Sequence, residues 1–200
     1  MIYIEYMEHD RSIPLELFQA RGDQPWRPES KYDSIDHPIA VLGRTLSLGP
    51  HPPYMAIWRC RTLEKLDEWE SYFKARQNLH QAASRNAIHL SNAGCYKEAF
   101  SGPPIGEGIQ YIEYFAFGLN HSENEIAHCF RKRMMIHRNG ILNFVLCRMG
   151  PLGPDPGGLA IWSFENHAEI EEIVLDGKRH TDIDIVTAGI YRKLGEEAAV

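Results

Sequence analysis

The chain opens on an alternating run, Ile2 to His9, whose period of two predicts a strand. Ile2, Ile4 and Tyr6 fall on one face, and Tyr3, Glu5, Met7 and His9 on the other. Further strands are predicted near 39–48, 54–60 and 94–100, with a helix from Thr62 that carries Leu63, Leu66, Trp69 and Phe73 on one side. Gly22, Pro25, Pro28 and Pro38 interrupt helical periodicity and leave a polar segment that holds Trp26, Tyr32 and His37. The second half reads more cleanly. A strand is expected over 110–117, and Ser122 with Glu125 forms a capping box ahead of Ile126, Cys129, Phe130 and Met134 at helical spacing. Asn139-Gly140 ends that helix, and strands over 142–149 and 159–164 flank a Gly/Pro loop. Asn166 and Glu169 cap a second helix with Ile170, Ile173 and Val174, and a strand over 183–191 closes the βαββαβ order.

The same order in both halves reflects an internal duplication. Residues 41–58 lie over 145–162 without a gap, and ten of the eighteen positions are identical. Tyr3-Ile4-Glu5-Tyr6 matches Tyr111-Ile112-Glu113-Tyr114, and Ala93-Gly94-Cys95-Tyr96-Lys97 matches Ala188-Gly189-Ile190-Tyr191-Arg192. The Gly/Pro-rich stretch from Ser101 to Gly108 has linker composition, so the repeats are taken as 1–104 and 105–200.

Each βαββαβ unit predicts a four-stranded antiparallel sheet with both helices on one face, leaving an apolar face that two such sheets can cover for each other. These features resemble the dimeric α+β barrel (ferredoxin-like) superfamily, and within it NIPSNAP-like domains. The resemblance rests on the aromatic end of the first strand, the hairpins into Ala56-Ile57-Trp58-Arg59 and Ala160-Ile161-Trp162-Ser163, and the helix residues Leu66 and Trp69 or Ile170 and Ile173. It implies an α+β fold in which one chain supplies two tandem ferredoxin-like units and builds a pseudo-dimeric barrel. A homodimer of such barrels is compatible with it.

Composition narrows the function. With 44% apolar and 24% charged residues the chain can build a core, and no apolar run approaches the ~18 residues of a membrane span. A formal charge of −6 disfavours nucleic acid. The four cysteines form no Cys-x-x-Cys pair and no export signal is readable, which together suggest a cytoplasmic protein. His80 with His89 and His128 with His137 are nine apart, on opposite helix faces, so no dedicated metal site is expected.

If helices cover Ile2, Ile4 and Tyr6, the barrel interior receives Tyr3, Glu5 and His9, with Tyr111, Glu113, Phe115 and Phe117 from the second half. Arg44 and Arg148 are placed there too, because a charged side chain is disfavoured against an apolar helix layer. The resulting Glu and Arg groups read either as an ion-pair network between the halves or as acid–base machinery. His9, opposite Phe117 in the repeat, is the first choice for a general acid or base, with Glu5, Glu113, Arg44 and Arg148 as further candidate catalytic groups. Tyr3, Tyr111, Phe115, Phe117, Trp26 and His51 are candidate substrate contacts. Arg131-Lys132-Arg133 reads as a solvated helix face, and Trp58 and Trp162 as residues packed beneath helices. The barrel resemblance then implies an enzyme acting on a small, partly apolar or aromatic metabolite without an organic cofactor, of lyase, isomerase or monooxygenase type. The alternatives are a NIPSNAP-like binding or scaffold protein and a haem-binding barrel with a histidine ligand.

Overall fold

The computed structural model describes residues 1–9, 38–45, 53–64, 66, 88–118, 121–176 and 183–194. Eight strands run in chain order: β1 (Ile2–His9), β2 (Pro38–Arg44), β3 (Tyr54–Arg59), β4 (Ile88–Ser101), β5 (Ile109–Ala116), β6 (Ile141–Arg148), β7 (Gly158–Phe164) and β8 (Asp184–Lys193). They close into one antiparallel barrel in the order β1-β3-β2-β8-β5-β7-β6-β4. The first four strands lie in the order β4-β1-β3-β2 and the last four in the equivalent order β8-β5-β7-β6, joined through β2·β8 and β4·β6. β4 is longer than alternation alone predicts because it serves both halves. Ile88 to Tyr96 pair with β1, while Tyr96 to Ser101 pair with β6.

Two helices are described, α1 (Glu123–Ile136) and α2 (His167–Asp176). Both start where the capping residues require. The Glu125 amide donates to Ser122 Oγ at 3.3 Å and the Ser122 amide donates to the Glu125 carboxylate at 2.7 Å, while the Glu169 amide donates to Asn166 Oδ1 at 3.2 Å. The chain between the halves is pinned by Asn143, whose Nδ2 donates to the carbonyls of Pro103 and Pro104.

The faces of the strands are the reverse of the sequence expectation. Ile2, Ile4 and Tyr6 pack with Leu42, Ile57, Tyr96, Ile112, Tyr114, Leu146, Ile161 and Tyr191 in a single cluster to which every strand contributes, so this set fills the barrel interior. Tyr3, Glu5, Tyr111, Glu113 and Phe115 therefore lie on the outer side of the sheet, the last three facing described helices. The expected ligand chamber is occupied by side chains. Alternation alone defines two faces but does not say which one the helices cover, and both faces here are apolar enough to be buried.

Four tyrosines at repeat-matched positions meet inside. Tyr6 and Tyr96 share a hydroxyl hydrogen bond of 2.9 Å, and Tyr114 and Tyr191 approach at 3.5 Å. The rings of Tyr96 and Tyr191 fold back over the glycine two residues earlier, which explains the matched Gly-x-Tyr pattern. A Cβ on Gly94 would lie 2.7 Å from the Tyr96 ring, and one on Gly189 would lie 2.8 Å from the Tyr191 ring. In a packed interior neither ring has space to swing away. Gly94→Ala and Gly189→Ala are each expected to cost about 1–3 kcal/mol of stability, measured as a lower urea midpoint with unchanged slope.

Candidate functional site

The outer faces of β1 and β5 carry the same receptor. Glu5 lies opposite Ala56 on β3 and Ala93 on β4, and Glu113 lies opposite Ala160 on β7 and Ala188 on β8. Two short cross-strand neighbours thus flank each carboxyl. One step along, Tyr3 pairs with Trp58 and Tyr111 with Trp162, which brings each indole within reach. Trp58 Nε1 donates to Glu5 Oε2 and Trp162 Nε1 donates to Glu113 Oε2, each at 3.0 Å. The tryptophans pack on the outer side as expected, and the glutamates accompany them.

The two copies then diverge. On α1, Ile126, Phe130 and Arg133 share the buried face, and Arg133 is fully buried. Its guanidinium donates from Nη1 and Nη2 to the two Glu113 oxygens at 2.5 and 2.7 Å. The guanidinium carbon also sits 5.5 Å from the centroids of the Phe130 and Trp162 rings. The bidentate pair, the indole N–H and the two rings compensate for taking both charges out of water. This corrects the expectation of a solvated face shared by Arg131, Lys132 and Arg133. The seven-residue interval from Ile126 is the signal that separates Arg133 from its two exposed neighbours.

Glu5 is 8% exposed, and among the described residues its one polar partner is Trp58. Burial pushes its carboxyl up to about 7, against the smaller lowering effect of the Trp58 bond. Tyr3 beside it is raised by burial first and then by Glu5, Cys95 and Cys60. Met7, Tyr54, Trp58 and Cys60 form the adjoining apolar wall, with Tyr3 and Leu66 packed against it.

The other expected site residues are dispersed. Tyr111 and Phe115 lie in the apolar layer beneath α1 and α2 with Phe130, Trp162 and Ile170, and Phe117 packs at its edge. Arg44 and Arg148 follow the interior parity of Leu42 and Leu146 and are half-buried at strand ends. Arg148 Nη1 donates to the Gly153 carbonyl at 2.9 Å and pairs with Asp155 at 2.7 Å, and the Arg44 and Arg148 charges act on Tyr191 and Tyr96. The carboxylates and these arginines thus occupy opposite sides of the sheet, so the expected Glu–Arg network inside the barrel is overturned. For Glu113 the reason is that Arg133 makes the helix layer hospitable to a carboxylate. His9 ends β1, but its side chain, with Trp26 and His51, lies outside the described residues.

No family model and no curated protein matches the chain. Among solved structures it is similar to a heme-binding protein from Thermus thermophilus, with a TM-score of 0.57 and 13% identity over 98% of this chain and 92% of that one. It is also similar to chlorite dismutase from Candidatus Nitrospira defluvii. One variant superposes with a TM-score of 0.56 and 10% identity over 95% and 90% of the two chains, and another, in complex with cyanide, with 0.59 and 9% over 97% and 90%. At 9–13% identity these likenesses show a shared fold. The expectation of an enzyme that works without an organic cofactor is corrected by this likeness, which includes a heme-binding protein.

Two outcomes follow from the paired carboxyls. Arg133→Met leaves Glu113 buried without its cation and is expected to cost about 3–5 kcal/mol, most of it recovered when Glu113→Gln is added, as read by denaturant titration. For Glu5, a folded-state value near 7 exceeds the unfolded one, so the native state holds the extra proton and loses stability as pH rises between about 4.5 and 7. Glu5→Gln should therefore gain on the parent chain across that window, by about 1–3 kcal/mol at pH 8, with the difference closing near pH 4.5 in parallel urea titrations.

Proposed function

We propose that the protein binds haem on the outer side of its first-half sheet. The observation that carries this reading is the superposition of almost the whole chain on haem-binding barrels. The interior offers no place for a porphyrin, because aliphatic side chains and four tyrosines fill it. The layer beneath α1 is closed by Phe130, Trp162 and the Glu113–Arg133 pair. The outer face of β1 and β3 differs: among the described residues Glu5 meets no cation there, and Tyr3, Met7 and Trp58 are its apolar neighbours. On this reading those three residues would contact the macrocycle, and a histidine of the chain would ligate the iron. Bound haem would supply an iron centre for ligand binding or electron transfer.

On the same reading the halves, 1–104 and 105–200, are tandem ferredoxin-like repeats. The matched strand orders and the matched Glu–Ala–Trp registers support this. A second reading, a NIPSNAP-type scaffold without catalysis, is favoured by the filled barrel interior.

Titration of the purified chain with haemin is expected to saturate at one equivalent, with a sharpened Soret band and a histidine-type spectrum. Trp58→Ala should weaken binding about tenfold or more, in keeping with the loss of a stacking aromatic wall. Absence of saturation would favour the scaffold, and binding that ignores Trp58 would move the haem to another face.

A further inference from the structure

The two described helices lie on the outer side of the second-half sheet and turn contrasting faces to solvent. α1 buries Ile126, Ala127, Phe130 and Arg133 against the sheet. At the helical repeat, Arg131, Lys132, Met135 and Ile136 fall together on the opposite side. All four are exposed, Met135 at 66% and Ile136 at 44%. On α2 the inward residues are Ile170 and Ile173, while Glu171, Glu172, Val174 and Leu175 are exposed, the last two at 50% and 69%. Each face repeats one layout: two like charges, then two large apolar side chains about one turn further on. The charges are opposite in sign. Among the described residues Lys132, Glu171 and Glu172 make no ion pair. Arg131 lies 5.4 Å from the Phe100 ring and has no carboxylate partner.

We propose that these faces are the two sides of one contact between copies of the chain, the α1 face of one copy docking on the α2 face of the next. When two such helices lie side by side in the same direction, Arg131 and Lys132 come opposite Glu171 and Glu172, and Met135 and Ile136 come opposite Val174 and Leu175. The spacing fits, since charged and apolar pairs are separated by about 6 Å along α1 and about 4.5 Å along α2. Covering the apolar pairs removes them from water, and the ion pairs fix direction and register.

The occupant follows from charge. Copies of net charge −6 repel each other overall, so contact is favoured where exposed cations of one meet exposed acids of another. The chain itself supplies both surfaces. Because unlike surfaces meet, each copy uses both, and the assembly closes into a ring or continues as a row of copies. The contact involves neither Glu5 nor Trp58, so it stands apart from the haem reading.

Sedimentation velocity of the full chain over about 1–500 µM tests it. The parent is expected to pass from monomer to larger species with a dissociation constant below about 100 µM. Arg131→Glu with Lys132→Glu, and separately Glu171→Lys with Glu172→Lys, should each weaken self-association about tenfold or more. Mixed in equal amounts, the two charge-reversed chains should associate within about threefold of the parent, because each offers the charge that the other now lacks. Leu175→Ser should weaken association about tenfold. These positions are exposed, so the variants should keep the parent's urea midpoint. If a double variant does not fold, the single reversals Lys132→Glu and Glu172→Lys replace it in the same mixture. A parent that stays monomeric throughout, self-association untouched by either reversal, or no recovery in the mixture would overturn the proposal. A monomeric parent that binds anionic vesicles or an acidic peptide through Arg131 and Lys132 would also overturn it and give the α1 face a different occupant.

Discussion

Closure of the barrel is the constraint on which the rest of the molecule depends. The two four-stranded orders end in free edges, and pairing β2 with β8 and β4 with β6 satisfies those edges. Closure also turns one face of every strand inward, and the interior is then filled by aliphatic side chains and four tyrosines. Once that space is used, every carboxyl on the opposite parity must find compensation in the layer outside the sheet.

That outer layer is where the two halves part company. The carboxyl of Glu113 is neutralised by a helix residue whose side chain reaches back to the sheet, and the pair is sealed by rings of Phe130 and Trp162. An arrangement with both carboxylate oxygens so engaged belongs to the architecture. Glu5 keeps the same indole bond and the same alanine neighbours with no described cation, and its carboxyl consequently holds its proton to higher pH than an exposed glutamate. The strands that carry Glu5 and Glu113 share the same registers with their neighbours.

The neighbours in fold set this asymmetry in a wider context without deciding it. A heme-binding protein and chlorite dismutase superpose on nearly the entire chain at identities of 9–13%, a level at which backbone geometry persists after side chains have changed. A barrel whose interior is solid still offers two outer faces.

Much of the architecture was legible in the residues themselves. Alternating runs, two capping boxes and the repeated Val-Leu…Ala-Ile-Trp block located the described strands and helices, because backbone preferences and caps are local in sequence. Even the tyrosine cluster was written there as a matched Gly-x-Tyr pair, although its meaning required seeing the ring lie over the glycine. The direction of each strand face was not. A strand flanked by apolar residues on both sides is equally consistent with either orientation, and only the closed barrel decided that Ile4 points in and Glu5 out. Nor was Arg133 legible as a partner of Glu113, twenty residues away, since a charge on a helix is ordinarily solvated and becomes a buried ligand only when folding sets a carboxylate opposite it.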